Sequence, residues 1–308
     1  MTEDQNSILN LKEMVLVKVF IAILFVGPIV WGWRNWVKYK GASAPKHIVN
    51  YPTLINSAVL YALAFNLIFF LQELFLVLGK KALGLKAFLY HNDHNWVGEH
   101  SKTLLMQGSG AAAIFLIGLI CVLLFRLIPY SKSIWRLFVL WLAFHGLIQS
   151  IPQVMVASLD PNTDVGEALV GYINLSQTSL LILAITSIIA IAVISIWFSR
   201  QLLDFVNSDV DLNNPKVKFK YIRFIAVGAA FIGSILVVPF RIPPMGQAIT
   251  PFIVFVFSIP WIWSAAACST PVTHKSNGIN EKIYWSPIIL LVLLLIFFRM
   301  VLTPGLEF

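Results

Sequence analysis

The sequence predicts an all-α fold, a polytopic transmembrane helix bundle of about eight spans. Three observations carry this. The 308 residues are 58% hydrophobic and only 12% charged, with a mean hydropathy of +0.83, whereas a soluble domain has about 25% charged residues. The apolar residues come in blocks of about twenty, the length that crosses roughly 30 Å of hydrocarbon. The blocks lack period-two alternation, and a backbone in lipid must satisfy its own hydrogen bonds, so they read as helices rather than barrel strands.

The spans read as 14–33, 54–79, 103–125, 136–158, 177–199, 221–240, 247–267 and 284–303, forming one integral-membrane domain over 1–308. Residues 166–176 are moderately apolar and read as a re-entrant or interfacial piece before the fifth span. Pro152 is expected to kink the fourth span, and Pro239, Pro251 and Pro260 to bend or end the sixth and seventh. Trp31, Trp33, Trp36, Trp96, Trp135, Trp261, Trp263 and Trp285 fall near span ends, as an aromatic belt does. Gly108-Ser109-Gly110-Ala111-Ala112-Ala113 permits close helix packing. The first apolar run has no small-residue cleavage site, so a cleavable signal peptide is not expected. Cys121 and Cys268 offer neither a disulfide framework nor metal-knuckle spacing.

The net charge of +8 is a topology signal rather than a nucleic-acid signal. Fourteen Lys and Arg fall in the loops joining spans one to two, three to four, five to six and seven to eight, against seven on the opposite side. The positive-inside rule puts the first set in the cytoplasm and both termini outside. The expected setting is a bacterial inner (plasma) membrane, with the lipid bilayer as the one partner the sequence implies.

Polar residues inside the spans mark the candidate site. An ionisable side chain among lipid tails is costly unless it faces a cavity or a partner. Glu73 lies six residues, about 9 Å, below the outer end of the second span, and Asn66 lies on the same face. His145, Gln149 and Gln153 recur at i, i+4, i+8 and form one stripe on the fourth span. Gln107 opens the third span from outside and Gln177 the fifth. Together they predict a water-accessible cavity in the outer half of the bilayer; taken singly, each Gln or Asn also reads as glue between helices. The outer loop Leu89-Tyr90-His91-Asn92-Asp93-His94-Asn95-Trp96-Val97-Gly98-Glu99-His100 lies over its mouth. His91 and His94, with Asp93 or Glu73 and at greater reach His145, read as ligands for a divalent metal such as zinc; a plain solvated loop is the other reading. Asp160, Asp164 and Glu167 sit in a segment that reads as a turn.

The order of elements resembles the site-2 protease family of intramembrane zinc metallopeptidases. Gln72-Glu73-Leu74-Phe75-Leu76 stands where that family has His-Glu-x-x-His, Gly108-Ser109-Gly110-Ala111 follows as its Gly- and Ala-rich helix, and Asp164-Val165-Gly166 comes later as its Asp-Gly-type motif. Only Glu73 matches the general base; Gln72 and Leu76 replace both zinc-binding histidines. The resemblance covers spans two to five and implies a degenerate relative, either inactive or holding its metal through other residues. Three functions follow as expectations: a degenerate membrane metallopeptidase-like protein with Glu73 as general base, a proton-coupled transporter using Glu73 and His145, or a non-catalytic membrane scaffold. The absence of internal repeats weakens the second.

Overall fold

The computed structural model describes Val19 and residues 22–41, 51–206, 212–266 and 282–308. The chain is a helical bundle. Among the described residues, seven helices are long and apolar enough to cross a membrane: α2 (Tyr51–Ala82), α3 (Thr103–Leu127), α4 (Tyr130–Val156), α5 (Gln177–Phe205), α6 (Pro215–Arg241), α7 (Met245–Ala265) and α8 (Trp285–Leu302). Before them, α1 spans Gly27–Lys38. The beginning of the first expected span, residues 14–18, 20 and 21, lies outside the described residues.

Several helices overrun the apolar blocks at one end because apolarity marks the hydrocarbon and not the caps. Asn214 shows how: its side-chain oxygen accepts the Lys216 N–H at 3.0 Å, which starts α6 six residues before the expected 221. Helix α4 runs through Pro152 and α7 through Pro260. Residues Asp164–Gly166 and Glu167–Tyr172 form a short helical segment outside the spans. It packs Val165 and Leu169 beside Ala111 of α3 and Ala157 after α4.

Helices α2 and α4 form the centre. Two thirds of the most apolar stretch of each is buried within the protein (67%), against 22% for α8, which faces outward. Tyr61, Phe65, Trp141, Phe144 and Phe198 fill the centre. The small residues do their expected work. A Cβ on Gly110 would lie 2.8 Å from the Gln72 carbonyl oxygen, so α3 sits directly on the α2 backbone, and one on Gly146 would lie 2.7 Å from Gly118 Cα, where α4 crosses α3.

The loops sort into two ends. At one, Lys216 Nζ donates to the Lys40 carbonyl at 3.1 Å, and Arg136, buried at the start of α4, reaches Asp204 at 3.5 Å. At the other end lies a hairpin absent from the sequence expectations. Strands β1 (Lys86–Leu89) and β2 (His94–Val97) pair antiparallel, and β3 (Leu306–Glu307) adds to β1. The loop between α2 and α3 is therefore a strand–turn–strand. Ala87 and Leu89 alternate inward and are buried, and the Tyr90 N–H closes the turn on the Asp93 carbonyl at 2.8 Å.

Candidate functional site at the hairpin end of the bundle

The turn of the hairpin is tied to the end of α6. Arg241 is fully buried. Its guanidinium stacks 3.5 Å above the Phe69 ring and donates to Asn92 Oδ1 at 3.0 Å and to Asn66 Oδ1 at 3.5 Å. The Asn92 amide donates back to the carbonyls of Arg241 and Pro243 at 2.8 and 2.9 Å. His91 Nε2 donates to the Pro243 carbonyl at 2.8 Å. These bonds fix the hairpin over the C-terminal part of α2.

Strand alternation then puts His94 and Trp96 on one face, their rings stacked with centroids 5.9 Å apart. His94 Nδ1 donates to Glu73 Oε2 at 2.8 Å, and both side chains are only 9% exposed. On its other side His94 Nε2 lies 3.3 Å from Gln107 Oε1. That same oxygen accepts Lys80 Nζ at 2.8 Å, and the Lys80 ammonium sits 4.6 Å over the Trp96 ring. With both ring nitrogens on acceptor oxygens, the charged form of His94 is favoured. Burial opposes that form, but the Glu73 hydrogen bond and charge, with Asp164, outweigh it and raise the His94 pKa above the ordinary value. The Asp164 carboxyl is also raised, by burial first and then by Glu73 and Glu167, with His94 and Lys80 acting the other way. Burial lowers the His91 pKa, and Arg299 and Arg241 lower it further.

Glu73, Asp93 and His94 each offer one donor atom, and these three lie within 4.8 Å of one another. Asp93 is exposed, and its Oδ1 accepts the His94 N–H at 2.8 Å, so the carboxylate is held beside the imidazole. Two carboxylates and one imidazole suit a divalent ion of intermediate hardness and leave room for water.

The expected single cavity is divided. His91 does not join the metal-type cluster, because its Nε2 is engaged by Pro243. His145 does not join it either. It is fully buried among Tyr61, Phe65, Trp141 and Phe144, with ring centroids 4.5 Å from Tyr61 and 5.3 Å from Phe65, and its Nδ1 meets the Gln149 amide at 3.0 Å. Gln153 donates to Gln72 Oε1 at 3.1 Å, and these two, with Gln149, face a mostly apolar cleft of about 280 Å³ between α2, α4 and α7. Asn66 belongs to the Arg241 group. Gln177 is exposed at the start of α5. Of the expected site residues, Glu73, His94 and Gln107 meet.

Sequence reasoning missed Lys80, Arg241 and Trp96, and treated Asp164 and Glu167 as turn residues. Lys80 and Arg241 were counted as loop charges, yet both are fully buried. The turn-forming Asn92-Asp93 between Ala87/Leu89 and His94/Trp96 was the one short signal for the hairpin.

Compared with protein-family models, with curated proteins and with solved structures, the chain gives no match.

Proposed function

We propose that this polytopic membrane protein binds a divalent cation at Glu73, Asp93 and His94, on a degenerate version of the site-2 protease plan. The observation that carries the reading is the convergence of one imidazole and two carboxylate donors within 4.8 Å. The electrostatics favour it. Asp164 and Glu167 add two further carboxylates that act on Lys80, and Asp164 acts on His94 as well, so with Glu73 and Asp93 four carboxylates face Lys80, Arg241 and a protonated His94. A second support comes from the protease-like order of motifs: Asp164 of Asp164-Val165-Gly166 interacts electrostatically with Glu73. A cation there would acidify a bound water or polarise a carbonyl.

The residues have separable roles in this reading. Glu73 and His94 hold the ion from the membrane side and the hairpin side, and Asp93 closes it from solvent. Gln107 orients the second nitrogen of His94, as an outer hydrogen-bond partner does for a ligating histidine. The positions of the family's two zinc histidines do other work here. Gln72 bonds Gln153 at 3.1 Å, and Leu76 is fully buried, 2.8 Å from where a Gly110 Cβ would stand. Glu73, Asp93 and His94 therefore serve to bind a cation, without the two histidines that peptide hydrolysis uses in that family.

Chelator-stripped protein titrated with Zn2+ and Mn2+ tests this by calorimetry. Binding that weakens at least tenfold in His94→Ala and Glu73→Gln, and is unchanged in His91→Ala, supports the site. Equal binding by all four proteins, or none by the wild type, removes it.

The excess of Lys and Arg assigns the opposite end of the bundle to the cytoplasm and the hairpin to the outside. In a cysteine-free background, an impermeant reagent added from outside should label Asn95→Cys and spare Asn213→Cys; the reverse pattern inverts the assignment.

A further inference from the structure

We propose that the end of the bundle opposite the hairpin carries a specific site for the headgroup of an anionic phospholipid. The site is a cavity of about 700 Å³ between α1, the start of α6 and Trp263 of α7. That volume lies within the roughly 300–1,000 Å³ typical of small-molecule sites.

The cavity has a cationic half and an aromatic half. Lys40, Lys216, Lys220 and Arg223 line it, and no carboxylate does among the described residues. Three of these cations come from one helix face. The Asn214 cap and Pro215 start α6, and Lys216, Lys220 and Arg223 follow at i, i+4 and i+7, one above the other. Like charges at i, i+4 destabilise a helix by a few tenths of a kcal/mol per pair. The bond from Lys216 Nζ to the Lys40 carbonyl at 3.1 Å draws a fourth cation to the same place.

The aromatic half sets the depth and the class of ligand. Trp263 packs on Gly32, where a Cβ would lie 2.4 Å from its ring. Phe219 bridges Trp263 and Tyr39, with centroids 6.1 and 6.4 Å away. Trp33 and Trp36 stand side by side at 5.1 Å, and Trp33 is 58% exposed at the mouth. Exposed Trp at a span end sits at headgroup level. A ligand that suits both halves carries a phosphate toward the cations and a glycerol-acyl portion toward the aromatics. Basic pockets between helices at the cytoplasmic side bind anionic headgroups in this way. The positive-inside rule alone would scatter cations over this end. It does not require three on one helix face lining a cavity walled by Trp.

The test uses full-length protein in detergent micelles. Lipid retention is read by native mass spectrometry, and thermal stability by fluorescence, with phosphatidylglycerol or phosphatidylcholine added. Wild type is expected to retain phosphatidylglycerol at least tenfold better than phosphatidylcholine. The triple variant Lys216→Gln/Lys220→Gln/Arg223→Gln is expected to lose that preference, at roughly fivefold per charge removed. A second triple, Arg126→Gln/Lys132→Gln/Arg200→Gln, removes equal charge from the same end outside the cavity and is expected to keep it. The three single variants of the cavity cations carry the same comparison should the triple not purify. No preference in wild type, or an equal loss in both triples, overturns the site. Full competition by millimolar glycerol phosphate shows a soluble phosphate site and overturns the lipid assignment.

Discussion

Removing His94 should expose how strongly the hairpin is coupled to α2. The Glu73 and His94 side chains are each 9% exposed and meet at 2.8 Å. Breaking a buried pair from one side costs about 3–5 kcal/mol when the remaining charge has no other relief. Glu73 does have relief, since Arg241 lies in electrostatic reach. The expected loss for His94→Ala is therefore smaller, about 2 kcal/mol, and a hydrogen bond to a charged group contributes roughly 1.5–3 kcal/mol. A double-mutant cycle with Glu73→Gln isolates the pair, because two residues in contact do not add. Each protein would be unfolded by heat and by denaturing detergent in metal-free buffer, and the coupling energy should be about 1.5 kcal/mol at pH 6. The pH dependence has a fixed sign. The folded pKa of His94 is raised above its ordinary 6.5, so the pair's contribution is complete below pH 6.5 and fades as pH rises through the folded value. Coupling should thus be smaller at pH 9 than at pH 6. Coupling below about 0.5 kcal/mol at pH 6, or coupling that grows with pH, would refute the ion pair as the link between hairpin and helix.

Three other outcomes are expected. Gly146→Ala places a methyl 2.7 Å from both Gly118 Cα and the Ile114 carbonyl oxygen, which forces α3 and α4 apart and should cost about 1–3 kcal/mol by thermal unfolding. Arg241→Met leaves Asn92 and Asn66 without their donor, and hydrogen exchange should rise across residues 86–97 while α4 stays protected. Cation binding should tighten as pH rises toward the raised His94 pKa and level off above it, with release of about one proton per ion below that pKa, because the metal there displaces a proton from the imidazole; calorimetry in two buffers of different ionisation enthalpy counts that proton.

The bundle was legible because lipid imposes one rule on every span: about twenty apolar residues and a self-satisfied backbone. Glu73 was legible for the same reason, as a carboxylate where carboxylates are expensive, and the structure places it inward with a partner. Its partner was harder to read. His94 reaches it through a hairpin whose strands are four residues each, too short for periodicity to stand out against the surrounding polar residues. Arg241 and Lys80 were hidden by the topology count, which treats every Lys and Arg near a span end as a solvated charge, whereas a fully buried guanidinium over Phe69 clamps the turn here. The stripe of His145, Gln149 and Gln153 was right as a helix face and wrong as a single cavity. Periodicity reports which residues share a face, and says nothing of whether aromatic rings such as Tyr61 and Phe144 close over it.

The central claim is a cation held by Glu73, Asp93 and His94. Metal content per chain tests it most directly, measured by elemental analysis on protein purified without chelators or affinity metals. About one divalent ion per chain is expected in wild type and in His91→Ala, and substoichiometric traces in Asp93→Ala/His94→Ala. Equal metal in the double variant and the wild type, or traces in every sample, would contradict it.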